Sequence, residues 1–129
     1  EILILDEPTI GLDPASRRQM WDLLRRLNEK GLTVLMTTHY IEEAQSLCQR
    51  VALINKGKVV RLDTPAELIS QLGSVAVDEF DGSQTRSSFF PTKEDALAYA
   101  ESIANKFIMR STTLEDVFLD IVGSGLEVV

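Results

Sequence analysis

The run Ile2-Leu3-Ile4-Leu5 ends in two adjacent carboxylates, Asp6 and Glu7, followed by Pro8. Four apolar residues in succession suit a strand buried on both faces, as parallel sheets require. A second apolar run, Leu32 to Met36, ends in Thr37-Thr38-His39. Two buried strands that each deliver polar groups at their carboxyl ends describe one edge of a catalytic site, because open α/β sheets bind ligands outside those ends.

The segment between the strands reads as a helix. Asp13 supplies an N-cap acceptor, and Pro14 fits the first turn, where its missing N–H costs nothing. Met20, Leu23, Leu24 and Leu27 recur at the spacing of a core-facing stripe, and Gly31 suits the C-terminal cap. A further helix from about Tyr40 to Cys48 would bury Ile41, Ala44 and Cys48, with Glu42 and Glu43 near its positive end. Val51–Asn55 and Lys58–Leu62 flank Lys56-Gly57 as a hairpin, on which the lysines act as solubilisers, and Thr64-Pro65 opens a short helix closing at Gly73. Residues 1–73 thus alternate strand and helix, an α/β pattern.

Beyond Gly73 the rhythm changes. Val75–Phe80 and Gln84–Phe90 surround Asp81-Gly82, a hairpin signal. Thr92 with Asp95 caps a helix that turns Ala96, Ala100, Ile103 and Ala104 inward, and a short strand near Phe107–Met109 follows. Thr112 with Glu115 caps a last helix, striped by Leu114, Val117, Phe118, Ile121 and Val122 and ended by Gly123. This is a small α+β unit, and its last stripe suits either core or a partner's surface.

Charge marks the same boundary. Residues 1–73 hold ten acids and nine Lys/Arg, whereas 74–129 hold ten acids and only four Lys/Arg. A tail of that sign is a poor match for phosphate backbones, which need clustered cations, and no nucleic-acid partner is expected for it. No apolar stretch approaches the roughly 18 residues of a membrane span. The start, Glu1-Ile2-Leu3, has neither the basic region nor the cleavage pattern of a signal peptide, and a chain that opens inside a strand reads as a piece of something longer. Cys48 is the only cysteine, so neither a disulfide framework nor a cysteine metal cluster is available, and a reducing cytoplasm fits.

Phosphoryl transfer needs a metal held near the phosphates and a group that orients or deprotonates the attacking water. Asp6, fixed at a strand end, suits Mg²⁺, directly or through water. Glu7 beside it, facing a drier pocket, suits the base. His39 follows the other strand and can hydrogen-bond a terminal phosphate or the water. A single histidine with no second ligand candidate nearby does not favour a zinc site. Each residue also has a plainer reading: Asp6-Glu7 as an acidic strand-to-loop junction, His39 as a local cap, Asp13 as an ordinary helix cap. A receiver domain also carries an acidic pair after its first strand. It would want an aspartate after a middle strand, where Thr37-Thr38-His39 stands.

In their order along the chain these residues resemble the later half of an ABC-type ATPase domain. Ile2–Glu7 is similar to the Walker B strand with its catalytic glutamate, Gly11-Leu12-Asp13 to the D-loop and Thr38-His39 to the switch histidine. Tyr40–Lys58, YIEEAQSLCQRVALINKGK, and Asp63–Leu68 resemble the stretch after that histidine in export subunits. Gln49 replaces a usual aspartate there, and Asp63 a usual glycine. Thr112–Gly123, TTLEDVFLDIVG, resembles the ending of drug, polysaccharide and ABC-2-type export ATPases.

The resemblance implies the C-terminal half of a P-loop NTPase domain over residues 1–73 and an accessory α+β unit over 74–129. It implies ATP and Mg²⁺ as cofactors, with Asp6 and Asp13 at the nucleotide site. Asp6 would hold Mg²⁺, Glu7 would polarise the hydrolytic water, His39 would contact the γ-phosphate and Asp13 would communicate across a dimer of two such domains. The implied partners are a second nucleotide-binding domain and separate transmembrane permease subunits, at the inner face of the cell membrane. The sequence contains no G-x-x-x-x-G-K-S/T phosphate loop, Q-loop or LSGGQ-type signature, which in the family lie upstream of the Walker B strand. The chain by itself is therefore expected to be inactive and only marginally folded. A soluble ABC protein acting on ribosomes or DNA is the alternative within the fold. Gly11-Leu12-Asp13-Pro14, where ribosome-associated relatives read Asn-His-Leu-Asp, speaks against it. A non-catalytic interaction or regulatory module, with 74–123 binding a partner, is the alternative outside it.

Overall fold

A computed structural model of the chain describes residues 1–123, so 124–129 of the C-terminal segment lie outside the described residues. The described chain is mixed α/β, with five helices and three small sheets. It gathers into two compact units, Glu1–Cys48 and Gln49–Val129. No described helix is long and apolar enough to cross a membrane.

The first unit runs β1 (Ile2–Asp6), α1 (Pro14–Glu29), β2 (Thr33–Thr37) and α2 (Ile41–Leu47). β1 and β2 pair in parallel from Ile2 opposite Thr33 to Asp6 opposite Thr37. Neither strand is buried on both faces, contrary to the expectation from their apolar runs. Leu3, Leu5, Val34 and Met36 are half-buried, while Ile2, Ile4 and Leu35 are 68%, 71% and 61% exposed. The reason is the alternation of side chains across a sheet that has only two strands among the described residues.

α1 begins as its sequence predicts. Asp13 is extended (φ −70°, ψ 167°) and its carboxylate accepts from the Ser16 amide at 2.7 Å, with Pro14 in the first turn. The buried stripe is rotated from the expected one. Trp21 and Leu24 are buried, whereas Leu23 is 41% exposed. The indole of Trp21 finds a polar partner inside the unit, so the ring goes in and Leu23 goes out. α2 ends at Leu47, and Cys48 stands half-buried just past it. Burial, with the nearby charge of Glu43, pushes its thiol above the usual range.

The second unit opens with a hairpin, β3 (Val51–Asn55) and β4 (Lys58–Asp63). Lys56 and Gly57 both have positive φ (50° and 78°), as a two-residue turn between twisted strands demands. The pairing register shifts between Leu53 and Ile54, ahead of the turn. α3 (Pro65–Leu72) is capped by Thr64, whose hydroxyl accepts from the Glu67 amide. An antiparallel sheet in the order β6-β5-β7 follows, formed by β5 (Val75–Phe80), β6 (Thr85–Phe90) and β7 (Lys106–Ser111). The β5–β6 loop is held by the Asp81 carboxylate, which accepts from the Ser83 and Gln84 amides.

α4 (Lys93–Glu101) packs on β5 and β6 through Ala96 and Ala100 and a tilted stacking of Tyr99 on Phe90. Its inward face stops there. Ile103 and Ala104 lie past the helix end and Ala104 is exposed, because the Ser102 amide and hydroxyl both turn back onto Tyr99. α5 (Leu114–Gly123) packs on α3, burying Leu114, Val117 and Ile121. Burying each such side chain stabilises by about 2 kcal/mol.

The cap of α5 sits one residue later than the sequence suggests. Thr113 and Asp116 form the reciprocal pair: the Thr113 hydroxyl accepts from the Asp116 amide, and the Asp116 carboxylate accepts from the Thr113 amide. Thr112 is instead buried, donating its hydroxyl to the Gly73 carbonyl. That bond ties Gly73, where the sequence changes character, into the second compact unit. The Thr112 amide bonds to Ser74, and a side chain at Gly73 would meet the Phe90 backbone at 2.8 Å. Gly73, at φ 128°, is thus a close joint inside the second unit.

Arg110 ties this unit together. Its guanidinium donates to both oxygens of Asp78 (2.7 and 3.1 Å) and both of Asp116 (2.9 and 2.7 Å), joining β5, β7 and α5. Hydrogen bonds from Arg110 hold the Asp78 carboxyl below its ordinary value. At Asp116 burial opposes ionisation, but Arg110 and Thr113 outweigh it and the pKa is also lowered. Arg110→Ala should destabilise this unit by about 2 kcal/mol at neutral pH, since it takes the charged donor from two carboxylates and leaves them the bonds from Ser87 and Thr113. Both carboxyls are more acidic folded than unfolded. The contribution is therefore complete above about 3.9, the ordinary carboxyl value, and is lost as pH falls through the folded values. Denaturant unfolding of wild type and variant should show a gap that narrows in acid; a pH-independent gap would contradict the assignment.

Candidate functional site

Parallel pairing in register sets the site. Asp6 and Thr37 are opposite each other at the last rung, and the Thr37 hydroxyl donates to the Asp6 carboxylate. The Glu7 amide donates to the Thr37 carbonyl at 2.9 Å, extending the ladder one bond beyond β1. Glu7 then takes a left-handed conformation, φ 51°, which is uncommon for any residue but glycine and is found where surrounding structure over-determines it. Pro8 follows, and the turn bonds from Ile10 to Glu7 and from Leu12 to Thr9 fold the exit back on itself.

This conformation carries the Glu7 side chain to the end of β2. Its carboxylate Oε2 lies 2.9 Å from His39 Nδ1, and the His39 amide donates weakly to the same oxygen at 3.4 Å. Asp6 and His39 are exposed, and Glu7 is half-buried. The His39 ring tilts against Tyr40 (4.4 Å between centroids), and the Arg17 guanidinium lies 5.3 Å from the centre of the Tyr40 ring. Asp6, Glu7 and His39, all singled out in the sequence, therefore stand at one pair of adjacent strand ends. Asp13 is engaged differently. Its carboxylate caps α1, and the Ser16 amide holds its pKa below the ordinary value.

Among the described residues no cluster of three or more His, Cys, Asp or Glu forms a metal cage. Beside the His39 nitrogens, the donors at the strand ends are oxygens: the Asp6 and Glu7 carboxylates and the Thr37 hydroxyl. A hard cation that keeps its waters and takes further ligands from a phosphate suits such a set.

Sequence reasoning missed the layer beneath. Glu43, on α2, is wholly buried and accepts from the Thr9 hydroxyl at 2.6 Å and the Trp21 indole N–H at 2.7 Å. The available signal was the spacing of α1 against α2. Arg17, Trp21 and Arg25 recur every four residues and meet Tyr40, Glu43 and the Ser46 carbonyl, which recur every three.

No family model matches the chain. It is similar to the Nod factor export ATP-binding protein I of Burkholderia thailandensis, at 33% identity over 148 residues, covering 98% of this chain and 49% of that protein. It is 53% identical over 74 residues to the daunorubicin/doxorubicin resistance ATP-binding protein of Streptomyces peucetius, covering 57% of this chain and 22% of that protein. It is 39% identical over 89 residues to a linearmycin resistance ATP-binding protein of Bacillus subtilis, covering 69% of this chain and 29% of that protein. The chain spans about half the length, or less, of the curated relatives it matches.

Proposed function

The chain belongs to the ABC transporter ATP-binding proteins, related to those of export and resistance transporters, and on that premise we propose that it supplies the water-activating edge of an ATPase that drives export. The observation that carries this reading is the 2.9 Å contact between Glu7 and His39 at the ends of two parallel strands. Glu7 is the group that polarises the hydrolytic water, and His39 orients it through Nδ1; with a second proton on Nε2 the same ring can donate to a γ-phosphate oxygen, which only accepts. Asp6, steadied by Thr37, helps hold Mg²⁺, which when bound draws charge from the phosphate oxygens. Asp13, at the start of α1, serves contact across a dimer of such domains.

The nucleotide-binding segment in this reading is 1–73 and the accessory unit 74–129. The work passes to separate membrane-spanning permease subunits, from the inner face of the membrane. The chain has no phosphate loop to cradle ATP with backbone N–H groups and a lysine, so hydrolysis belongs to the complete subunit. The exposed Ile2, Ile4 and Leu35 support the reading that the chain alone is marginally folded.

In the complete subunit Glu7→Gln should abolish turnover yet leave ATP bound and the dimer closed; wild-type hydrolysis by that variant would remove Glu7 from its role. Titration calorimetry of the 129-residue chain with Mg·ATP should show no micromolar binding, and a micromolar affinity would overturn the assignment of hydrolysis to the complete subunit alone.

A further inference from the structure

Glu43 is a fully buried carboxyl that none of the roles above uses. Taking such a group out of water is costly unless its oxygens are hydrogen-bonded, and only Oε2 has donors among the described residues; Oε1 has none. A carboxyl buried at that cost needs an explanation, and its surroundings offer one. Its two donors come from different elements: Thr9, in the loop that leaves Glu7, and Trp21, in α1. Glu43 itself lies in the first turn of α2, where its amide donates to the Tyr40 carbonyl at 2.9 Å.

The geometry points to Glu43 as a positioning residue that fixes Glu7 relative to His39. The connection is a closed ring. From Glu7 the chain runs through Pro8 to Thr9, whose hydroxyl reaches Glu43. From Glu43 it runs back through the first turn of α2 and Tyr40 to His39, whose imidazole returns to Glu7. One buried carboxylate oxygen thereby ties the loops that follow both strands. Trp21 holds that oxygen from a third side, and Arg25 reinforces α1 against α2 by donating to the Ser46 carbonyl. The left-handed backbone at Glu7 is a conformation that such a tether can hold in place. Neither Glu43 nor Thr9 reaches solvent, so both act through Glu7 and His39 and touch no substrate.

This inference rests on the ATPase reading, and its test is made on the complete subunit by steady-state ATP hydrolysis. Thr9→Val, which removes one hydroxyl with little change of shape, and Glu43→Ala should each lower kcat by roughly tenfold to a hundredfold. KM for ATP should stay within about twofold, since the tether orients the water-activating pair and binds no nucleotide. Glu43→Gln, whose carbonyl oxygen accepts both bonds, should restore most of kcat. Values of kcat within about twofold of wild type in Thr9→Val would overturn the proposal, as would failure of Glu43→Gln to rescue. If Glu43→Ala does not fold, Thr9→Val decides by itself: a selective loss of kcat supports the proposal, and no loss defeats it. Glu7→Gln separates the two levels. Unimpaired turnover there removes Glu7 from the water-activating role on which this inference rests, whereas an inactive Glu7→Gln beside a fully active Thr9→Val defeats only the role of Glu43.

Discussion

The site depends on the register of β1 against β2. Five residue pairs, from Ile2–Thr33 to Asp6–Thr37, set which groups arrive together at the strand ends. A slip of one residue would send Asp6 and Thr37 to opposite faces, because side chains alternate with a period of two. It would also break the bond from the Glu7 amide to the Thr37 carbonyl, which precedes the left-handed turn at Glu7. The contact between Glu7 and His39 follows from those two local facts, and the chemistry proposed for the chain follows from that contact.

Both compact units are organised around an ionisable side chain at a junction of elements. In the first, Glu43 gathers the loop after β1, α1 and α2. In the second, Arg110 gathers β5, β7 and α5. The two differ in how completely they are matched. Arg110 faces two carboxylates that accept in bidentate fashion, and all of these groups keep some exposure, so the arrangement is a stability device. Glu43 is fully enclosed with one oxygen unmatched, a costly arrangement for stability and more intelligible as a constraint on its neighbours.

The strand ends were legible because each apolar run stops at polar residues, and a parallel strand places its last side chains at the sheet's edge. Asp13-Pro14, Thr64-Pro65 and Thr92 with Asp95 were legible as caps because their chemistry is local. What sequence could not convey was the face each element presents. Periodicity alone turned Leu23 inward, but Trp21 took the buried place because its N–H had a partner on another helix. The α5 cap fell to Thr113 because the Gly73 carbonyl claimed the Thr112 hydroxyl, a contact between residues 39 apart in the chain. Glu43 looked like one of two acids complementing a helix start, and only the fold shows that Glu42 is exposed while Glu43 is enclosed. Each of these three misses concerns a polar group satisfied over a long sequence distance.

The most direct measurement of the central contact is the nitrogen NMR spectrum of His39, which is free of overlap because the chain holds a single histidine. A ring that holds a single proton should carry it on Nδ1, donated to Glu7, with Nε2 showing the shift of an unprotonated acceptor. A ring carrying its proton on Nε2 would contradict the account.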